Sequence, residues 1–197
     1  MIHHIRFTAL LILGFVLIGC NRKQPEQPKA PQQLQELAQA HGGTAPSSVA
    51  GVTWSMPQRW VVAPPRQMRV ATYSIAPAEG DAEPAECGVF YFGNDQGGSV
   101  DANIDRWINQ FEVKSAPVRT SKDVNGLTVT LVQIAGTYLA PAGPMMQSQG
   151  KKENFKLLGA IVQAPEGSVF FKLTGPARTI AAAEGDFNGL ISSVRKP

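Results

Sequence analysis

The sequence predicts an α+β domain in which an antiparallel β-sheet is flanked by helices. Three observations predict it. β-prone runs fill the middle and end of the chain, at residues 87–92, 127–139, 155–163 and 168–173. Turn signals join them as hairpins, namely Asn125-Gly126 and Pro165-Glu166-Gly167. Two further stretches carry apolar residues at helical spacing.

The elements follow in order. The domain opens with Val52-Thr53-Trp54-Ser55-Met56, then Pro57 and Trp60. Residues 68–75 alternate as a strand, and 77–86 form an acidic, turn-rich loop read as solvated. Cys87-Gly88-Val89-Phe90-Tyr91-Phe92 reads as a strand buried on both faces. Cys87 has no Lys, Arg or His flanking it to stabilise a thiolate, so it reads as a small core residue. After a turn at 94–98, Ser99 is positioned to cap a helix and Asp101 suits its positive end. Ile104, Trp107, Ile108 and Phe111 then share one apolar face, with Asp105 and Arg106 projecting away.

A short strand is expected at 118–120, and a long one at 127–139 beyond the Asn-Gly turn. Residues 140–154 read as a long loop with Met145-Met146 beside prolines, either a plain hairpin connection or an adaptable docking surface, since loops of this length are disproportionately functional. A second hairpin follows and stops at Thr174-Gly175-Pro176. Ile180, Ala183, Phe187, Leu190, Ile191 and Val194 make the second helical stripe. Thr179 is its expected N-cap, and Arg195-Lys196 complement its C-terminus. Gly185 inside that helix calls for a kink or a close contact.

Composition narrows the function. From Gly51 onward 14 Lys and Arg face 13 Asp and Glu, with no basic run beyond Lys151-Lys152, which gives nucleic-acid binding little electrostatic support. The three histidines, His3, His4 and His41, all precede the domain. Ser-His-Asp and Cys-His nucleophilic schemes are thereby removed, along with the commonest transition-metal ligand. No CxxC or zinc spacing exists, and no cofactor motif is present.

The N-terminal part has its own logic. Arg6 and the apolar run 7–18 have the form of a secretory signal, too short to span a membrane. Leu17-Ile18-Gly19-Cys20 resembles the lipobox of bacterial lipoproteins. The resemblance implies cleavage before Cys20 and acylation of its thiol; two or three acyl chains hold a protein stably at a membrane. Asn21 is compatible with sorting to the outer membrane, facing the periplasm, in a Gram-negative host. Pro25, Pro28 and Pro31 then favour extended, solvated backbone in a tether with a coil reach of roughly 30 Å. The expected organisation is a signal at 1–19, a lipidated Cys and tether at 20–49, and one α+β domain at 50–197.

Within the domain, Val169-Phe170-Phe171-Lys172-Leu173-Thr174-Gly175-Pro176, the terminal helix ending Leu190-Ile191-Ser192-Ser193-Val194, and the early Trp54-Ser55-Met56-Pro57 with Trp60 resemble a PsbP-like domain. The stretch from Gly97-Gly98-Ser99 to Gln110-Phe111 is similar to uncharacterised bacterial lipoproteins. The resemblance implies an α/β/α sandwich and an accessory, partner-binding role. These are packing patterns, and they carry over no catalytic residue.

The leading expectation is a non-enzymatic, lipid-anchored envelope protein that binds another protein or an envelope component, with Tyr138, Met145 and Met146 at the contact. Two alternatives belong to other classes. One is a hydrolase of envelope glycans that uses carboxylates alone, Asp101 or Asp105 with Glu112. The other is metal capture by the acidic loop or by Met56, Met68, Met145 and Met146.

Overall fold

The Asn125-Gly126 turn has φ of 53° and 75° at its two residues, the left-handed pair that a tight hairpin between right-twisted strands requires. The computed structural model describes residues 47–113, 116–140 and 150–197. Cys20, the tether as far as residue 46, and Met145 and Met146 lie outside the described residues.

In chain order the strands are β1 (Ser48–Val49), β2 (Val52–Thr53), β3 (Val61–Val62), β4 (Ala71–Ile75) and β5 (Ala85–Tyr91). Helix α1 (Val100–Ile108) follows, then β6 (Phe111–Val113), β7 (Val118–Val124), β8 (Leu127–Leu139), β9 (Lys151–Ala164), β10 (Gly167–Pro176) and helix α2 (Ala177–Ser192). Eight of these strands form one antiparallel sheet in the order β3-β4-β5-β10-β9-β8-β6, with β7 also paired to β8. β1 and β2 make a separate hairpin, tied to the C-terminus by the Thr53–Arg195 bridge.

The two helices lie on opposite faces, giving the expected antiparallel sheet between helices. Under α2, Ile180, Ala183, Phe187, Leu190 and Ile191 meet Tyr73, Cys87, Val89, Phe171 and Leu173 in the larger core. Burial of each large apolar side chain there contributes roughly 1.5–3 kcal/mol. Trp54 reinforces this layer, its ring edge-on to Phe171 at 5.4 Å and its Nε1–H donating to the Tyr73 hydroxyl at 2.9 Å. On the other face Ile104 and Trp107 of α1 pack with Val132, Ile134, Leu157, Ile161 and Phe170. Gly159 lies directly beneath Trp107; a Cβ there would stand 2.3 Å from Cζ3 of the ring.

Ser99 caps α1 as expected, its Oγ accepting from the Ala102 N–H at 3.1 Å. The helix is shorter than the apolar stripe. Phe111 opens β6 opposite Tyr138 and reaches the same cluster as Ile104 from the sheet, because pairing with β8 competes successfully with a third helical turn. At the other end of the sheet, residues 68–70, expected as strand, lie outside β4 because Met68 has φ of 62° in a turn closed by Arg69 N–H donating to Arg66 O. The short strand expected at 118–120 runs on to Val124. Part of the expected 140–154 loop is strand. Lys151 and Lys152 pair with Leu139 and Tyr138, and the register slips beside Gly136. Asn154 sits at φ of 56°, a left-handed conformation that Asn tolerates at such an irregularity.

The cap of α2 is also corrected. Thr179 is the third residue of the helix, and the N-cap position is Pro176, which has no side-chain acceptor. Asp81, 98 residues away in sequence, supplies it. Its Oδ2 accepts from the Thr179 N–H at 2.8 Å and from the Thr179 hydroxyl at 2.7 Å. The acidic loop is therefore partly structural. Asp81→Ala is expected to lower stability by about 1–2 kcal/mol in urea unfolding. Glu79→Ala in the same loop should stay within about 0.5 kcal/mol.

The close contact expected at Gly185 is absent. Nothing lies within 4 Å of the Cβ it lacks, so it faces open space without a close contact. Gly185→Ala should stabilise the domain by about 1 kcal/mol, read as a higher urea midpoint.

Candidate functional site

The register of the sheet sorts the α1 face into rows. One row runs Thr72, Gly88, Lys172, Gly159, Val132 across β4, β5, β10, β9 and β8. The next runs Ser74, Glu86, Thr174, Leu157, Ile134. These two rows are thus apolar on β8 and β9, where Trp107 lies, and polar on β4, β5 and β10. Helix α1 packs over their apolar end and also reaches Phe170 of β10.

Lys172 stands at the boundary. Its neighbours on both adjoining strands are glycines, so the spaces beside its stem are taken by larger groups. Trp107 fills the space over Gly159, and the Phe90 ring fills that over Gly88 with the Arg69 guanidinium near. The Lys172 ammonium donates to Gln110 Oε1 and lies 5.7 Å from the centre of the Tyr138 ring. Among the described residues no carboxylate comes within ion-pair distance of it. Burial pushes its pKa down from 10.5 to about 8; Arg69 pushes the same way and Glu86 opposes.

The opposite charge is spent elsewhere. Glu86 receives Arg69 at 2.7 Å on one oxygen and Arg66 at 3.0 Å on the other. The turn at Met68 places both arginines on that carboxylate, using a conformation normally left to glycine. Arg69 also donates to Thr72 Oγ1 at 3.3 Å and covers the Phe90 ring at 5.3 Å. Two guanidinium groups therefore share one carboxylate. Beside Glu86 in the next row, the Thr174 hydroxyl is buried with no hydrogen-bond partner.

Aromatic rings bound the cluster. Tyr138 stacks on Phe155 at 5.8 Å and leans on Phe111 at 5.0 Å. Its own pKa is raised, chiefly by burial, then by Glu86, with Arg69 opposing. The edge of the site is closed by Lys152, paired with Glu83 and set over the Phe155 ring at 5.4 Å. Such an arrangement is a half-buried, aromatic-walled cation, suited to holding an anionic group.

The residues named from sequence are scattered by comparison. Tyr138 lies in this cluster, while Met145 and Met146 lie outside the described residues. Asp101 forms an exposed ion pair with Arg119, Glu112 pairs with Lys151, and Asp105 is exposed, so the carboxylates face separate cations and solvent. Glu83 and Glu86 are likewise taken by Lys and Arg, and Met56 and Met68 are exposed in separate loops. Among the described residues no group of three or more His, Cys, Asp or Glu converges on a metal site. Cys87 is fully buried in the α2 core, where burial raises its pKa and keeps the thiol protonated.

Lys172 was missed by sequence reasoning, although a signal was there. It is a charge inside an otherwise apolar strand, where lysine is rarely buried without a purpose.

No protein-family model matches the chain, and no curated protein matches it. A solved structure does. The chain is similar to the solution structure of cyanobacterial PsbP (CyanoP) from Synechocystis sp. PCC 6803, at 10% identity and a TM-score of 0.47. The likeness covers 79% of this chain and 98% of that one. Binding and assembly do not follow from a likeness at that level.

Proposed function

We propose that the chain is a lipid-anchored accessory protein of the cell envelope whose domain holds another protein at the polar end of those sheet rows. The anchor is Cys20 behind its export signal, and the tether at 20–49 gives the domain room to reach a partner. In a Gram-negative host Asn21 is compatible with sorting to the outer membrane, facing the periplasm. One observation carries the binding role: Lys172 is a half-buried cation whose direct partner is a neutral amide, with no carboxylate in ion-pair reach among the described residues. A charge desolvated without a counter-ion costs stability, and proteins keep such groups mainly where function uses them.

The test replaces Tyr138 with a photo-crosslinking phenylalanine in the native host. A discrete adduct to an envelope protein is expected, formed with the lipidated chain and lost with Cys20→Ser. Adducts absent from both, or unchanged by loss of the anchor, contradict the reading.

A further inference from the structure

We infer that the partner is anchored by a carboxylate, an acidic side chain of a protein segment seated between Lys172, Arg69 and Tyr138. The inference deepens the partner-binding reading and rests on it.

Charge complementarity argues for the class of ligand. Arg66 and Arg69 both contact Glu86, while Lys172 has no carboxylate within ion-pair distance among the described residues. Lys172 is the cation left to a neutral partner, so the site carries an excess of positive charge that a carboxylate can meet at Lys172. A monoanion fits. The shape argues against a bilayer surface. Polybasic membrane sites present four or more protruding Lys or Arg, whereas Lys172 is half-buried beside Tyr138 and walled by Phe90 and Trp107. A recessed cation is met by a group that projects, such as Asp or Glu on a partner. Rings of Tyr138, Phe111 and Phe155 flank the site with apolar surface, which excludes water around a bound carboxylate and strengthens its hold.

The experiment uses the full chain in detergent micelles, labelled with ¹³C in its lysines, and two capped pentapeptides, Gly-Phe-Asp-Phe-Gly and its Asn counterpart. The Asp peptide is expected to shift the Lys172 side-chain signal, and the Asn peptide to bind at least tenfold more weakly. Lys172→Met should abolish the difference between the peptides, while Tyr138→Phe should weaken the Asp peptide severalfold. Equal binding of the two peptides overturns carboxylate anchoring, and leaves the crosslinking result at Tyr138 to decide the surface by itself. A Lys172 shift produced by phosphatidylglycerol vesicles or inorganic phosphate but not by the Asp peptide overturns it too. Circular dichroism on Lys172→Met separates lost binding from lost fold.

Discussion

Lys172→Met is expected to make the domain more stable at pH 7, by up to about 3 kcal/mol, while removing the binding function. The sign follows from the direction of the shift. Folding lowers the Lys172 pKa from 10.5 to about 8, so the folded state disfavours the charged form. Below pH 8 the wild type carries the whole penalty. Between pH 8 and 10.5 the unfolded chain binds more protons than the folded one, so wild-type stability rises with pH and the penalty fades. The gap between variant and wild type should therefore be widest at pH 7 and shrink toward pH 10.5. Lys172 is half-buried, so solvent screening places the measured gap below the full figure. Urea unfolding of both proteins at pH 7 and pH 10 reads this directly. A variant less stable at pH 7, or a gap independent of pH, would falsify the claim that this ammonium is desolvated.

Gly159→Ala should act in the opposite direction, destabilising the domain by about 3 kcal/mol. An added Cβ meets Trp107 at 2.3 Å and 2.7 Å and Val132 Cγ1 at 2.8 Å, all buried. Neither neighbour is the free end of a flexible chain. The same substitution at Gly185, facing open space in α2, should stabilise instead, so helix propensity and packing are separated within one protein. Trp107→Leu removes the ring that clashes, so Gly159→Ala introduced into that background should cost much less than it does alone. Simple additivity in urea unfolding would contradict the contact.

Local physics made much of the fold legible. The Asn-Gly turn, the Ser99 cap and the strand Leu127–Leu139 were readable because each is decided by residues close in sequence. The α2 cap was misplaced for the converse reason. Thr179 has the chemistry of an N-cap, yet Pro176 starts the helix earlier, and the acceptor arrives from Asp81 in a loop far away. Phe111 fits a helical stripe and a strand equally well; the outcome depended on Tyr138 standing opposite.

The candidate site was harder because its parts come from four segments. Arg66 and Arg69 precede β4, Glu86 opens β5, Tyr138 ends β8 and Lys172 lies in β10. Only the strand register places them on one face. Tyr138 was named from its position beside a long loop, without any reason to connect it to Lys172. The lysine itself was legible as an exception in an apolar strand, but its partners were not.

The most direct measurement is the titration of Lys172 by the ¹³C shift of its ε-carbon in the full chain. The account predicts a midpoint near 8 without ligand, moving upward when the Asp peptide supplies a negative charge. A midpoint at the ordinary lysine value of 10.5, unmoved by the peptide, would mean that the ammonium is fully solvated and takes up no carboxylate.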